Sequence, residues 1–244
     1  MGLWDALNLP EQGVLSLVGG GGKSTLLLRL TGELTAAGRK TVVVTTTHMT
    51  RAQGEAVGFL LLSGDPDSLR AALAEHLAVC AAERSGDGKL APPSAAVLRA
   101  APAMADWVLA EADGSRGLPV KVPAPHEPVL LPGGFTAAVA GLSALGRPLT
   151  RVCHRPELAA ELLGVPVQTV LTPLLLARLL TSEQGQRKGV EDLKRFRVVL
   201  NQADTAPGLA KETAIQIRRL LPDCHVIVAA LWEDICVKEV FAGC

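Results

Sequence analysis

The residue types best suited to chemistry lie between positions 19 and 25, where four glycines precede a lysine, a serine and a threonine. The glycines follow the apolar run Val14–Val18 and lead into the amphipathic segment Leu26–Leu30, which predicts strand, loop and helix in that order. Glycines let backbone N–H groups face an anion, and the helix adds the positive end of its dipole. The pattern predicts a phosphate-binding loop, with a plain flexible turn as the alternative. The predicted nucleotide-binding residues of this loop are Gly19, Gly20, Gly21, Gly22, Lys23, Ser24 and Thr25.

Two side chains of the loop have expected roles with a nucleoside triphosphate. Lys23 would reach the β- and γ-phosphates as a catalytic residue, and the Ser24 hydroxyl would bind Mg²⁺. The loop departs from the standard Gly-x-x-x-x-Gly-Lys-Ser spacing, because Leu17 stands where the first glycine would be. In a related variant a second lysine stands five residues before the main one, and that position is Val18 here. The sequence therefore predicts a phosphate cradle without a lysine that reaches across a dimer.

Acidic residues follow the apolar segment Trp107–Glu111, which reads as a buried strand. Glu111 and Asp113 would lie at the carboxyl edge of a parallel sheet, where ligands collect. There they could hold Mg²⁺ or polarise an attacking water, so both are predicted catalytic residues and metal ligands. Thr46, near the end of another predicted strand, could complete the metal shell. A polar loop after a strand is the alternative for the carboxylates, and threonine is common in strands for other reasons.

A second nucleotide motif is Asn201-Gln202-Ala203-Asp204, directly after an apolar strand. It matches the Asn-x-x-Asp pattern with which many GTPases read guanine. Asp204 could accept hydrogen bonds from two guanine donors that adenine does not offer together, while Asn201 would brace the loop. Gln202 replaces the usual lysine, and Asn and Asp are also frequent turn residues. The motif favours GTP over ATP and leaves ATP open.

The segment from position 114 to 128 is rich in proline and carries several charged groups. A stiff, charged loop beside a phosphate site suits a phosphate clamp or the binding of a second substrate. Arg116 or Lys121 could neutralise transferred charge, and His126 with Glu127 could move a proton, so all four are predicted catalytic residues. A solvated loop is the alternative.

These residues need a scaffold of alternating strands and helices. The predicted strands are Val14–Val18, Thr41–Thr47, Phe59–Leu62, Trp107–Glu111, Ala137–Ala140, Arg197–Asn201 and Val226–Ala230, and the predicted helices are Leu3–Leu9, a helix ending near Gly38, one from Pro66 through Cys80, Pro156–Leu163, Pro173–Leu180 and Leu209–Leu221. Ser85–Pro93 reads as an exposed loop or short hairpin. Together they predict a single α/β domain over residues 1–244, P-loop NTPase-like and doubly wound, with a mostly parallel sheet and helices on both faces.

Composition bounds the function. The 244 residues include 24 basic and 24 acidic side chains, so we expect no nucleic-acid partner. No apolar stretch approaches the roughly 20 residues of a membrane span, and the first residues do not resemble a signal peptide, so we expect a cytoplasmic protein and no membrane. The five cysteines include no Cys-x-x-Cys pair, which predicts free thiols, and Cys153 with His154 lacks the further ligands of a metal site.

With these segments in view, the chain resembles the YqeC-type family of selenium-dependent hydroxylase accessory proteins, nearly end to end. The segments that carry the resemblance are Leu15–Thr25, Thr45–Met49, Glu111–Gly117, Lys121–Pro128, His154–Glu157 and Asn201–Asp204. The resemblance implies a role in maturing selenium-dependent molybdenum hydroxylases, with such an enzyme or its maturation proteins as partners. A more distant similarity connects the chain to GTPases that insert nickel or cobalamin into enzymes, although their Cys/His metal site is not found in this sequence.

Three functions follow as hypotheses. The first is a Mg²⁺-dependent NTPase, with GTP preferred, that acts as a switch during enzyme maturation. The second is a small-molecule kinase or ligase in which the charged loop from position 114 binds an acceptor. The third is a binding module that uses a bound nucleotide to gate a protein partner and turns over negligibly. A homodimer is left open.

Overall fold

Strands and helices alternate along most of the chain in a computed structural model, which describes residues 1–86 and 88–243. The strands are β1 Gly13–Gly19, β2 Thr41–Thr45, β3 Phe59–Leu61, β4 Ala78–Ala81, β5 Glu83–Arg84, β6 Leu90–Ala91, β7 Trp107–Glu111, β8 Val120–Lys121, β9 Phe135–Gly141, β10 Cys153–His154, β11 Phe196–Asn201, β12 His225–Ala229 and β13 Val237–Phe241. The helices are α1 Leu3–Ala6, α2 Lys23–Ala36, α3 Arg51–Glu55, α4 Pro66–Glu75, α5 Ala95–Ala100, α6 Leu149–Val152, α7 Pro156–Leu163, α8 Pro173–Thr181 and α9 Pro207–Leu220. Short 3-10 turns occupy Ala101–Ala103, Leu142–Ala144, Leu193–Arg195 and Ala203–Thr205.

Nine strands form one sheet in the order β13-β12-β11-β9-β1-β7-β2-β4-β3. Every neighbouring pair is parallel except β12 with the edge strand β13. The predicted α/β class with a large, mostly parallel sheet is therefore confirmed. Because β1 lies between β9 and β7, and β7 lies between β1 and β2, the carboxyl ends of these central strands meet at one edge.

The side chains of β1 alternate between the two faces of the sheet, and helices cover both. Leu15 and Leu17 pack with residues of α1 and α2 on one face. On the opposite face Val14 packs with α4 and α5, whereas Val18 packs with the helices that follow β9. All four side chains are buried, and each buried valine or leucine contributes roughly 1.5–3 kcal/mol to folding. This packing fixes the point at which the chain leaves β1.

One predicted helix is wrong in extent. The helix from Pro66 ends at Glu75 instead of running through Cys80, and His76 already has an extended backbone. After Leu77 the chain forms β4, which pairs with β2 and β3 and has Val79 and Cys80 fully buried. Short apolar runs buried on both faces have no period that separates a strand from a helix.

Smaller predictions have mixed outcomes. The first helix stops at Ala6 instead of Leu9, with Asn8 in a left-handed conformation at φ 48°. The hairpin alternative for Ser85–Pro93 is confirmed by the β5–β6 pair, although Leu90 is buried and Asp87 lies outside the described residues. The four described cysteines are free and buried, as predicted, and Cys244 lies outside the described residues. Among residues 1–86 and 88–243, no helix combines the length and apolar character needed to cross a bilayer.

Candidate functional site

Backbone conformation and close packing explain the four glycines, of which Gly19 ends β1 and the other three follow it. Gly19, Gly21 and Gly22 have φ angles of 97°, 70° and 134°, which side chains rarely adopt. A Cβ at Gly20 would clash with the Leu118 carbonyl oxygen, and one at Gly22 would clash with the Asn201 amide. These loop positions therefore accept only glycine, because the segment after β7 and the end of β11 pack directly against them.

The loop amides are divided between the protein and the cavity above the sheet. Gly19 N–H donates to both Asp113 carboxylate oxygens at 3.1 Å, Gly20 donates to Val139 O at 2.9 Å and Gly21 donates to Leu118 O at 3.1 Å. These three amides, which the sequence predicts to face phosphate, are thus engaged inside this structure. No side chain caps the first turn of α2, so the amides of Lys23, Ser24 and Thr25 are available to an anion, whereas the Leu26 amide already donates to Gly22 O.

Lys23 lies beneath that helix end and is only 4% exposed. Its ammonium donates to Gly19 O at 2.5 Å and lies 3.2 Å from Asp113 Oδ1 and 3.9 Å from Glu111 Oε1. The buried charge of Lys23 is therefore compensated, mainly by Asp113, and its atoms still form part of the cavity wall.

Ser24 and Glu111 form a polar pair that faces the cavity. Ser24 Oγ donates to Glu111 Oε2 at 3.3 Å and accepts from Gln53 Nε2 at 2.7 Å. Burial raises the pKa of Glu111, and the nearby charge of Lys23 opposes that rise. The pair consists of a hydroxyl oxygen and a carboxylate whose negative charge is only partly balanced by neighbouring cations. Mg²⁺ favours hard oxygen ligands of this kind. Both residues line the cavity, so the donor set fits this ion.

Asp113 occupies a different position, inside a chain of buried ions. Its two oxygens lie 3.2 Å from the Lys23 ammonium and 3.3 Å from that of Lys121, and it is fully buried. Lys121 Nζ also contacts Glu127 Oε2 at 2.8 Å and donates to Gly114 O at 2.6 Å. With its oxygens already bound, Asp113 positions Gly19 and the two lysines in this structure.

Arg155 extends this chain of ions toward the surface. Its guanidinium lies 2.8 Å from Glu127 Oε2, because the parallel pair β8–β10 places residue 121 beside residue 154. Burial raises the pKa of Glu127, but hydrogen bonding and charge from Lys121, with help from the Ala124 amide and Arg155, lower it to about 2. Burial and the neighbouring cations Arg155, Lys121 and Arg116 lower the pKa of His154. The chain of ions thus joins the glycine loop to the proline-rich segment 114–128 and to the start of α7.

A cavity of about 570 Å³ opens above the glycine loop at the carboxyl edge of the sheet. The predicted site residues that line it are Gly21, Gly22, Lys23, Ser24, Thr25, Glu111, Arg116 and Asn201. Those that do not line it are Gly19, Gly20, Thr46, Asp113, Lys121, His126, Glu127 and Asp204. The sequence therefore identifies the cavity wall formed by the start of α2 and Glu111, while several of the predicted charged residues lie outside the lining.

Three of the predicted residues lie outside both the cavity wall and the buried chain of ions. Thr46 Oγ1 donates to Val129 O at 2.9 Å, and His126 is exposed. Asp204 is exposed and borders a separate hollow with Lys211 and Lys238. None of these side chains lines the cavity above Ser24.

Asn201 has the bracing position that the sequence predicts. Its Nδ2 donates to Gly21 O at 2.7 Å, and its Oδ1 accepts from Leu231 N at 2.9 Å. One buried amide therefore joins the glycine loop to the segment after β12. Residues without a predicted role also belong to the site or its support, among them Gln53, Arg155 and Trp232. Two of these have a signal in the sequence: Trp232 is a large aromatic residue three positions after the last parallel strand, and Arg155 lies in the family segment His154–Glu157.

Within the part of the chain that the structure describes, no three or more His, Cys, Asp or Glu side chains cluster to hold a metal ion. Cys153 is buried, and burial raises the pKa of its thiol to about 12, so it is protonated near neutrality. A metal at the cavity would accordingly depend on Ser24, Glu111 and a bound anion.

Comparison with known proteins agrees with these motifs. The family model described as YqeC protein matches residues 15–157, which include the glycine loop, the buried ion chain and β10. The uncharacterized protein YqeC of Escherichia coli (strain K12) is 34% identical over 184 residues, covering 72% of this chain and 71% of that protein. The resemblance predicted from the sequence is confirmed, and the chain belongs to the YqeC family.

Proposed function

We propose that the protein is a P-loop NTPase-like enzyme that binds a nucleoside triphosphate with Mg²⁺ in this cavity and hydrolyses it. One observation carries the proposal. The uncapped start of α2 and the Ser24–Glu111 pair face the same cavity of about 570 Å³. A helix N-terminus binds phosphate, and a hydroxyl beside a carboxylate binds the accompanying cation.

The phosphate end is formed by backbone more than by free cations. The α2 amides and helix dipole supply positive potential, while the Lys23 ammonium is already shared with Asp113. Arg116 adds a second positive charge to the cavity wall, and the Glu111 carboxylate adds a negative charge to it. Since a triphosphate is heavily negative, this balance supports a requirement for a divalent cation.

The proposed Mg²⁺ ligands are Ser24 and Glu111. Thr46 and Asp113, the other predicted ligands, have their oxygen atoms bound to protein groups in this structure. When bound, Mg²⁺ would polarise the phosphoryl oxygens.

Hydrolysis needs a group that orients water and a group that balances charge. Glu111 lies at the cavity wall with a pKa that burial raises, so its carboxylate can accept a hydrogen bond or proton from water. Arg116 lies on the same wall and can approach transferred charge. Lys121, His126 and Glu127 do not line the cavity, and for Lys121 and Glu127 the contacts favour a positioning role.

The physiological setting is proposed from family resemblance. The enzyme would act in the cytoplasm as an accessory to the maturation of selenium-dependent molybdenum hydroxylases, with such an enzyme or its maturation proteins as partners. The preference for GTP over ATP stays a prediction from Asn201 and Asp204.

Calorimetric titration with GTP and ATP, with and without Mg²⁺, tests the proposal, together with an assay of phosphate release. We expect Mg²⁺-dependent binding that Lys23→Ala removes and Lys40→Ala, at an exposed position, preserves. Ser24→Ala should retain the fold and weaken the Mg²⁺ dependence. Unchanged nucleotide affinity in a folded Lys23→Ala protein would refute the proposed site, and a phosphorylated metabolite in place of free phosphate would establish a kinase.

A further inference from the structure

Trp232 is a large aromatic residue on the wall of the cavity, and it is 69% exposed. Among the described residues it has no ring partner and no hydrogen bond. The other two tryptophans, Trp4 and Trp107, pack against each other with ring centroids 4.4 Å apart. Trp107 begins β7, at the opposite edge of the sheet from the cavity. An exposed indole face on the wall of a cavity is available to stack on a ligand.

The loop that carries Trp232 is held in place at several points. Leu231 N–H donates to the buried Asn201 Oδ1 at 2.9 Å. Ala230 N–H donates to Cys236 O at 2.8 Å, which closes the loop at its base. The Glu233 amide donates back to Ala230 O at 3.0 Å, forming a turn around residues 231 and 232. Little ordering of this backbone would be needed when a ligand arrives.

Trp232 and the Ser24–Glu111 pair lie on different parts of the cavity wall. A Cβ at Gly22 would lie 3.5 Å from Leu231 Cδ1, so the loop after β12 directly borders the start of α2. Glu111 and Gln53 approach Ser24 from the side of β7 and α3. A triphosphate on the α2 amides with its terminal phosphate toward Glu111 would therefore extend its nucleoside toward Leu231 and Trp232.

We infer that Trp232 stacks on the nucleobase of the bound nucleoside triphosphate. The inference rests on the proposed function and deepens it, because it names the group that holds the base. Stacking on an aromatic ring is tolerant of base identity, since every base has a π face. Asp204 borders a separate hollow in this structure, so the ring of Trp232, and not that carboxylate, is the group that faces the cavity here. GTP and ATP therefore depend on Trp232 to a similar extent.

The test compares three ligands by calorimetry: Mg-GTP, Mg-ATP and inorganic triphosphate, which has no base. For Trp232→Ala we expect affinity for both nucleotides to fall about tenfold, in the range of base–aromatic stacking, while triphosphate affinity is unchanged. Trp232→Phe should recover part of the loss. Ile235→Ala is the matched control, because Ile235 is 78% exposed in the same loop and does not line the cavity.

Tryptophan fluorescence gives an independent readout. Nucleotide should quench emission from wild-type protein, triphosphate should not, and Trp232→Phe should lose the quenching while Trp4 and Trp107 still emit. Equal nucleotide affinity in wild type and Trp232→Ala would overturn the inference, as would an equal loss for triphosphate. Dissociation of a dimer by Trp232→Ala without change in affinity would also overturn it, and would show a protein contact instead. If the wild type binds triphosphate and no nucleotide, or neither, the proposed function itself fails.

Discussion

Glu111 and Asp113 follow the same strand, two residues apart, yet they belong to two electrostatically different regions. Glu111 faces the cavity with one hydrogen bond from Ser24 at 3.3 Å and its nearest ammonium 3.9 Å away. Asp113 is fully buried, accepts Gly19 N–H with both oxygens and has ammonium groups at 3.2 Å and 3.3 Å. Glu111 therefore has unused capacity to bind a ligand, whereas Asp113 stabilises the loop. Within one acidic motif, the carboxylate with unused hydrogen-bonding capacity is the candidate for chemistry, and the carboxylate whose oxygens are already bonded is structural.

The largest expected effect is the loss of hydrolysis in Glu111→Gln. Glutamine keeps the shape of the side chain but removes its charge and basicity, so Mg²⁺-dependent phosphate release should fall about 10²- to 10⁴-fold. The free energy of unfolding should change little, because no cation depends on Glu111 alone. Steady-state phosphate release and urea denaturation measure the two quantities. Retention of activity would remove the distinction between the two carboxylates.

Asp113→Asn should have the opposite profile. It leaves Lys23 and Lys121 buried with one carboxylate neighbour each, Glu111 and Glu127, so we expect the unfolding free energy to fall by about 3 kcal/mol. Urea denaturation of this variant beside Glu111→Gln, which serves as its matched control, measures the difference. A stability equal to that of the wild type would show that the ion chain does not hold the glycine loop in place.

The order of strand, loop and helix around the site is predictable from the sequence, whereas the partners of its buried side chains are not. The path from β1 through the glycines to Lys23 and Ser24 follows from residue types and periodicity, as does the position of Glu111 at the end of β7. The neutralisation of Asp113 was hidden, because Lys121 contacts it from a separate strand that pairs with β10. Residues 78–80 are predicted as the end of a helix but belong to a strand, because their buried neighbours come from β2 and β3. Both misses concern contacts that form only when separate strands and loops come together in the fold.

Acid stability should distinguish the two regions by sign. The pKa of Glu127 is about 2 in the folded protein against an ordinary 4.5, so this group stabilises the fold above pH 4.5 and that contribution is lost as the pH falls toward 2. The pKa of Glu111 is raised, so proton binding to it favours the folded state as the pH falls. Glu127→Gln should therefore flatten the fall in unfolding free energy below pH 4.5. Glu111→Gln should act above pH 4.5, where it removes the stabilisation that the wild-type protein gains as Glu111 binds its proton. Urea denaturation on both sides of pH 4.5 gives the two slopes, and changes of the same sign in the two variants would contradict the assignment.

The smallest effects are expected at Asp204, and they extend the same comparison to the base-binding motif. Asn201 is buried with its amide bonded to Gly21 O and Leu231 N, whereas Asp204 is exposed outside the cavity. Asp204→Asn should therefore change the unfolding free energy by less than about 0.5 kcal/mol, while Asn201→Ala should lower it by about 1–3 kcal/mol.

Ligand binding decides whether Asp204 also reads the base. Titration of Asp204→Asn with GTP, ATP and XTP compares base selectivity directly, because guanine, adenine and xanthine differ in the hydrogen-bond donors and acceptors that a carboxylate or an amide would meet. A weakened preference for GTP and improved binding of XTP would show that the 203–205 turn moves to the ligand and that Asn-x-x-Asp reads guanine. An unchanged ranking would refute that reading and leave base binding to the aromatic face of Trp232.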